Sequence, residues 1–550
     1  MSQVNKTFKE KFLIIVLVIS NIYIFIITNL FYTSTFGADF ERYINYLEYF
    51  ISGRESTGLD QGSLYFYLVS IVVRLNSKFI NPANLDATIS YSIQLVNLVL
   101  LLITLIGLYK LLRLLNFNKL SVLSVLNIII FSPQLLALRI TMKPEIMVLA
   151  LLPYLLIGVE MYKKSKQSSY LIFSSVCFAL IVSSKATFLA IVPIFLLIYL
   201  GKFIKQLTIK DWLLSFAIVC TVTLPIFIEN YNINDNSIIS RSSYEKYNNK
   251  ANFDILYKNI DGNSLEIGPL SIDNNTAIGI AVLDIYDDYF NMYWNKDASL
   301  FKKHRKEIFL ENQSNEWVKF DLKNRHIYYK GALEKILIDS RIWLSRLLGV
   351  IFYCLLFYCL FKDRNYRRMY LGLPIGIFVL YVNALGFPEN NFDPYTADTF
   401  KVFYYSPFIL LATVFVLLYF YKYKWFKKVV IFIIISTIYI CGFPKQDSVQ
   451  YYSDLEQSNI NNPLCKLNKL VINDIANNTD CLDKELEFCN LLINPGIDSS
   501  NISSFLIEDK SCNFSKSNIS SNQGFGKIPV LNILYFISIL IFSLRLRLNN

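Results

Sequence analysis

Long apolar stretches recur along the chain and alternate with polar segments. A stretch of about 20 apolar residues crosses a bilayer as a helix. By that measure we count about twelve spans. They lie near 11–31, 88–112, 120–138, 145–162, 169–183, 186–200, 212–229, 341–361, 370–387, 403–421, 429–442 and 529–544. The pattern predicts an all-α integral membrane protein with about twelve transmembrane helices.

Basic residues cluster before the first stretch and then after every second one. The clusters lie at 6–11, 110–119, 163–166, 202–210, 362–368, 422–428 and 545–547. With about twelve spans they all fall on one side, which the positive-inside rule identifies as cytoplasmic. The segments 32–87, 230–340, 388–402 and 443–528 then face the other side. We therefore predict a multi-pass protein of the bacterial inner membrane, with its active site facing the periplasm or the outside.

Both termini are accordingly predicted to be cytoplasmic. Tags at either end should resist protease added to intact spheroplasts, because the membrane shields them. A tag inserted in the 230–340 segment is the control and should be cleaved in the same sample. Immunoblotting after digestion measures both, and cleavage of a terminal tag would contradict the topology.

Composition and charge narrow the class of protein to which the chain can belong. The chain is 54% hydrophobic and 17% charged, which excludes an ordinary soluble domain. Its net charge of +11 is spread over short turns, so contact with anionic lipid headgroups accounts for it and no nucleic acid partner is predicted.

The pattern divides the chain into five parts. These are 1–229 (helices 1–7 with a first-loop acidic motif), 230–340 (a large outer loop), 341–442 (helices 8–11), 443–528 (a cysteine-containing outer domain) and 529–550 (the last helix and tail). The outer domain holds Cys465, Cys481, Cys489 and Cys512. In an oxidising compartment they suggest two disulfides, and all pairings stay open.

The first outer segment contains an acidic pair, Asp39 and Glu41, in the sequence GADFERY. Apolar residues from Phe40 to Phe50 follow a helical period, and SLYFYLVSIVVRL resumes one, so we predict interfacial helices in this loop. Charge at a membrane edge is costly unless it has a function or a solvated exit. The pair is our catalytic candidate, although it also suits a solvated face of an amphipathic helix beside Arg42.

A second group of candidates maps to the outer ends of spans, where the phosphate of a lipid sits. Cationic side chains there stabilise a departing phosphate. Each member also has a plain explanation: a helix-capping carboxylate after Pro144, contacts with headgroups, or a snorkelling lysine. The group consists of Arg139, Lys143, Lys185 and Lys401, with the carboxylate Glu145 near the first two.

Layout and motifs together resemble the GT-C superfamily of membrane glycosyltransferases. The nearest branch is the protein O-mannosyltransferase and aminoarabinose-transferase type. Its first-loop acid lies in a context like GxDxxxY, which Gly37, Asp39 and Tyr43 match. Glu145 stands where the family usually has Asp. The resemblance adds Tyr404 to the second group: Lys401, Tyr404 or Tyr405, and Pro407 stand where the family often has a basic residue, a tyrosine and a proline. Lysine in place of arginine lacks the bidentate fork for phosphate.

The resemblance implies a reaction, its partners and the roles of the residues. A sugar would pass from a polyprenyl-phosphate donor to a lipid, glycan or protein acceptor by an inverting single displacement, with Asp39 as base and Glu41 beside it. The second group would hold the donor phosphate. The partners implied are the lipid-linked sugar and membrane lipids. No cofactor is required, and a divalent cation on the acidic pair stays open.

Three alternatives remain. One is an inactive relative or assembly scaffold that keeps the fold, and the other two are active classes. A secondary transporter suits the number of spans, although such chains usually show repeated halves and charge within the membrane. A polymerase or ligase of the O-antigen type also uses lipid-linked sugars and one large outer loop.

Carboxylates and aromatic rings alternate in the 230–340 segment, in VLDIYDDYFNMYWNKD. Rings stack on the apolar face of a sugar while carboxylates bind its hydroxyls. We predict sugar or acceptor binding by Asp287, Asp288, Tyr289 and Trp294. A packed aromatic helix is the alternative. No metal-binding or phosphate-loop motif occurs, so no zinc site, nucleotide-sugar donor or ATP is predicted.

Overall fold

The computed structural model describes residues 2–31, 62–76, 85–233, 332–385 and 405–423, and isolated residues at 43, 46–47, 49–51, 282, 285 and 426. Within these ranges every regular element is helical, as expected. The helices are α1 (Ser2–Phe31), α2 (Leu64–Asn76), α3 (Leu85–Leu114), α4 (Lys119–Ile129), α5 (Pro133–Ile140), α6 (Glu145–Ser165), α7 (Ser168–Ser184), α8 (Phe188–Leu200), α9 (Ile209–Ile233), α10 (Ala332–Lys362), α11 (Arg367–Tyr370), α12 (Gly372–Leu385) and α13 (Ser406–Tyr421). A 3₁₀ turn, Gly201–Gln206, follows α8.

Several of these helices are long and apolar enough to cross a bilayer. In the described part there are 5, namely Ile89–Leu114, Glu145–Ser165, Phe188–Gln206, Ile209–Ile228 and Trp343–Lys362. The protein is therefore an integral membrane protein. The predicted spans at 429–442 and 529–544, and most of the large outer segments, lie outside the described residues. The total of about twelve thus stays a prediction.

The third predicted span, 120–138, is wrong as a single helix. α4 ends at Ile129 and α5 begins at Pro133. Proline has no N–H, and in a continuous helix its ring clashes with the carbonyl four residues earlier. Ser132 occupies the break, and its Oγ accepts a hydrogen bond from the Leu135 N–H at 3.4 Å. The chain therefore reaches the start of α6 through a separate short helix.

α6 lies at the centre of the bundle. It packs against α3 and α7, and most of its side chains are buried. Gly158 allows the close approach of α7, because a Cβ there would lie 2.9 Å from the Ser174 Cβ. By contrast, α9 exposes large apolar side chains such as Trp212 and Phe216, as expected of a lipid-facing helix.

The basic turns between the helices gather at one end of the bundle. The end of α6 lies beside the end of α3, and the 3₁₀ turn contacts both the turn after α6 and α11. Three hydrogen bonds join them: Lys164 Nζ to the Leu114 carbonyl (3.1 Å), Lys166 Nζ to Gln206 Oε1 (3.1 Å) and Arg368 Nη1 to the Leu200 carbonyl (3.3 Å). This arrangement agrees with the alternation of the basic clusters along the sequence.

Candidate functional site

The candidate site lies at the opposite end of α6 from the basic turns, about 30 Å away along a 21-residue helix. Here α5 ends, α6 begins and α7 ends. Arg139 lies on α5, Lys143 in the following turn, Glu145 at the start of α6 and Lys185 just after α7. All are buried, with exposed fractions of 4%, 3%, 0% and 3%. The structure thus brings together part of the group predicted to hold a phosphate.

Glu145 and Lys185 form a buried ion pair between the start of α6 and the end of α7. Lys185 Nζ lies 2.9 Å from Glu145 Oε1. The carboxylate also lies in the first turn of α6, where the helix dipole favours negative charge. Its Oε2 accepts no hydrogen bond from the described residues, so Glu145 is not a hydrogen-bonding cap. Its contact in this part of the chain is the lysine.

The position of Lys185 is fixed by the end of α7. Its backbone is extended, with φ −151° and ψ 107°, and its N–H donates to the Ile181 carbonyl at 3.0 Å. Gly62, which lies just before α2, packs directly against the two residues that precede Lys185. A Cβ on Gly62 would overlap the Ser183 carbonyl oxygen and lie 2.5 Å from the Ser184 carbonyl carbon. Only glycine allows this approach of two backbones.

Gly62→Ala should therefore destabilise the protein by about 1–3 kcal/mol, because the added methyl group meets backbone and not a movable side chain. Thermal unfolding in detergent measures the effect. Gly376→Ala is the matched control, since its Cβ would lie 3.3 Å from the Phe408 ring, which can shift. Equal unfolding temperatures for the two variants would contradict the close approach at Gly62.

Arg139 connects α5 to α1. Its Nη2 donates to Asn21 Oδ1 at 2.6 Å, and both side chains are buried. The guanidinium group is thus held inside the bundle by a polar residue of the first helix. Contact with headgroups at the surface, the plain alternative for Arg139, does not describe this position.

Lys143 lies beneath an aromatic residue of the first outer loop. Its Nζ lies 4.8 Å from the centroid of the Tyr43 ring, which is the geometry of a cation–π contact. Tyr43 is helical and 2% exposed, and its ring packs 5.0 Å from that of Phe66 on α2. The last residue of the GADFERY motif therefore lies beside the turn that carries Lys143.

The aromatic helix of the first outer loop is present as predicted. α2 covers the predicted apolar-aromatic stretch, and Arg74 on α2 donates through Nη2 to the carbonyls of Phe50 (2.6 Å) and Ile51 (2.8 Å). These bonds satisfy the carbonyls of two residues in helical conformation. Its location at the membrane interface stays a prediction.

A buried asparagine at this site was missed from the sequence. Asn97, on α3, places Nδ2 within hydrogen-bond distance of the carbonyls of Leu138 (2.9 Å), Arg139 (3.0 Å) and Thr141 (2.9 Å). Its two N–H groups serve these three acceptors, so one N–H is shared between two of them. Its Oδ1 accepts from the Tyr65 hydroxyl at 2.8 Å. An amide within an apolar span commonly bonds across helices, and that signal was available in the α3 sequence.

The other predicted residues lie outside the described part. These are Asp39, Glu41, Lys401, Tyr404, Asp287, Asp288, Tyr289 and Trp294. Across the described ranges, no three His, Cys, Asp or Glu side chains gather to form a metal site. The acidic pair, the candidate for a divalent cation, lies outside these ranges.

The arrangement can bind an anion. Arg139, Lys143 and Lys185 place buried cationic groups at one end of the helical bundle, and electrostatic attraction is stronger in such surroundings than in water. Arg139 offers a planar fork suited to phosphate, while Lys143 and Lys185 offer point charges.

The chain shows a distant similarity to a solved structure. No protein-family model and no curated protein matches the chain. The chain is similar to the apo-state crystal structure of ArnT from Cupriavidus metallidurans, with 12% sequence identity over 74% of this chain and 76% of that chain and a TM-score of 0.34. ArnT belongs to the aminoarabinose-transferase branch that the sequence motifs resemble. At this TM-score the likeness assigns no role to any residue of the chain.

Proposed function

We propose that this protein is a membrane glycosyltransferase that transfers a sugar from a polyprenyl-phosphate donor to a lipid, glycan or protein acceptor on the outer face. The observation that carries the proposal is the cluster of Arg139, Lys143 and Lys185 at one end of the bundle, beside Tyr43 of the first-loop motif. A phosphate carried by a lipid is the anion that a multi-span protein meets at this depth.

The reaction is a displacement at the anomeric carbon. The acceptor hydroxyl oxygen forms a bond to that carbon as the bond to the phosphate oxygen breaks, and the configuration inverts. The phosphate leaves with the bonding electron pair, still attached to the polyprenyl chain. The acceptor proton passes to the Asp39 carboxylate, which acts as general base.

The cations act on the leaving group. Negative charge grows on the phosphate as the bond breaks, and fixed positive groups stabilise that charge more than they stabilise the donor. We assign this role to Arg139, Lys143 and Lys185. Glu145 holds Lys185 in place through the 2.9 Å ion pair and does not itself contact phosphate. Lys401 and Tyr404 complete the donor subsite in this proposal.

The remaining candidates complete the assignment. Glu41 supports Asp39, and a divalent cation between them is a further proposal that chelation can test. Asp287, Asp288, Tyr289 and Trp294 are proposed to bind the sugar or the acceptor, through hydroxyl contacts and ring stacking.

Buried aromatic side chains support transfer over hydrolysis. The rings of Tyr43 and Tyr46 pack 5.0 Å and 5.2 Å from Phe66, and all of these side chains are at least nine-tenths buried. A compact aromatic layer over Lys143 excludes water, so a bound donor would react with the acceptor and not with solvent.

The test is sugar transfer by the purified protein in nanodiscs. Labelled polyprenyl-phosphate sugars are compared with the nucleotide forms of the same sugars, and the anomeric configuration of the product is read by NMR. We expect transfer from the lipid-linked donors alone, with inversion. Transfer from nucleotide sugars, or uptake into proteoliposomes without a new glycosidic bond, would contradict the proposal.

A further inference from the structure

Hydrogen bonds join α2, α3 and the end of α5. We name this set of bonds the Asn97 brace. Its bonding groups are Tyr65, Asn97 and the carbonyls of Leu138, Arg139 and Thr141. Tyr65 and Asn97 are both 0% exposed. The amide group uses its oxygen for the phenol at 2.8 Å and its nitrogen for the carbonyls at 2.9–3.0 Å. Both polar atoms of the amide thus have partners.

The brace provides hydrogen bonds to backbone carbonyls at the end of α5. The last carbonyls of a helix have no partner within that helix, and in apolar surroundings each unsatisfied group is costly. α5 ends at Ile140 without a glycine cap, and the Asn97 side chain donates to its Leu138 and Arg139 carbonyls. The Thr141 carbonyl accepts from Asn97 and also from the Lys143 N–H within the turn, at 3.0 Å. The turn from Thr141 to Pro144 is therefore held by α3.

This turn carries the proposed phosphate-binding cations. Arg139 precedes it, and its carbonyl accepts directly from the amide. Lys143 lies within it and is held indirectly, because its N–H donates to the Thr141 carbonyl, which the same amide also binds. On the other side, Asn21 holds the Arg139 guanidinium at 2.6 Å. A displacement of the turn would move both cations together.

We propose that Asn97 and Tyr65 are positioning residues for the donor phosphate, acting through the backbone of Arg139 and Lys143. The inference rests on the proposed function and adds residues that touch neither sugar nor phosphate. Asn97→Leu keeps the size of the side chain and removes its polar groups. Tyr65→Phe keeps the ring and removes only the hydroxyl group that bonds the amide.

A purely structural role predicts a different result from a positioning role. The control is Asn127 on α4, a partly buried asparagine whose Nδ2 donates to the carbonyls of Leu13 (3.1 Å) and Leu123 (2.8 Å). Asn127→Leu also removes a side-chain hydrogen bond between helices, but at a position away from the cations. Both variants should lower the unfolding temperature, and only Asn97→Leu should change recognition of phosphate.

The experiment measures binding of geranylgeranyl phosphate and geranylgeraniol to the full chain in nanodiscs by native mass spectrometry. The ratio of the two affinities isolates recognition of the phosphate from that of the lipid tail. We expect Asn97→Leu to weaken phosphate binding at least about tenfold with alcohol binding within about twofold. Tyr65→Phe should weaken phosphate binding about threefold, and Asn127→Leu should keep the native ratio.

The outcomes separate the two proposals. A native protein that prefers the alcohol, or neither ligand, would refute the phosphate donor itself before any variant is compared. A native ratio in folded Asn97→Leu, or an equal loss in Asn127→Leu, would refute the positioning role alone. If Asn97→Leu does not fold, Tyr65→Phe decides, and an unchanged ratio in that variant overturns the inference.

Discussion

Asp39→Asn should abolish sugar transfer while leaving the protein folded. Asparagine has nearly the same size as aspartate but cannot accept the proton of the acceptor hydroxyl. General-base catalysis typically contributes a factor of about 100 to 10,000, so we expect kcat to fall at least about 100-fold. Binding of the donor should persist, because the cations that hold its phosphate are untouched. Initial rates with the lipid-linked donor measure the first effect, and native mass spectrometry measures the second.

A carboxylate at the other end of the bundle provides the control. Asp211 caps the start of α9, where its Oδ2 accepts from the Thr208 N–H at 2.8 Å. Asp211→Asn should lower the free energy of unfolding by about 1 kcal/mol at most and leave transfer at the native rate. Native activity in Asp39→Asn would refute the base assignment, and equal losses in both variants would point to an effect of net charge.

Lys185→Met should be the most destabilising of the single substitutions considered. It leaves the Glu145 carboxylate buried without the ammonium group that lies 2.9 Å away. Removing one partner of a buried ion pair typically costs about 3–5 kcal/mol, because the other charge stays desolvated. Unfolding followed in mixed micelles of increasing denaturing detergent measures the change.

The double variant Glu145→Gln/Lys185→Met should recover much of this loss, because a neutral pair needs no counter-charge. The pair Lys119–Glu10, with a 2.7 Å separation and a lysine side chain 36% exposed, is the control. Lys119→Met should change the free energy of unfolding by less than about 1 kcal/mol, since water screens exposed charges. Additive effects in the double variant would show that Glu145 and Lys185 are not coupled.

The sequence predicted the helices well where hydrophobic pattern and turn chemistry agree. The expected start of the fourth span at residue 145 matches α6, because Pro144 and the acidic first turn mark a helix start. The stretch 120–138 was wrongly predicted to be one helix because its hydropathy is continuous. The steric restriction at Pro133 divides it into two helices. Hydropathy averages over a window and does not register one backbone constraint.

The candidate site was predicted in part. Arg139, Lys143, Glu145 and Lys185 were chosen because they lie at span ends, and the fold places them together. The ion pair between Glu145 and Lys185 was not predicted, because 40 residues separate the partners and only the packing of α6 on α7 joins them. Asn97 was overlooked because it carries no charge and a single amide leaves the mean hydropathy of the Ile89–Leu114 stretch high.

The Asn97 brace has a consequence for how this region can vary during evolution. The amide of Asn97 donates hydrogen bonds to the backbone carbonyls of Leu138 and Thr141 and not to their side chains. Every amino acid possesses such a carbonyl. Those two positions can exchange side chains of similar volume without loosening the turn. Asn97 has no such freedom, because few side chains present a donor and an acceptor at that reach. In a set of relatives, substitutions should accordingly be frequent at positions 138 and 141 and rare at Asn97.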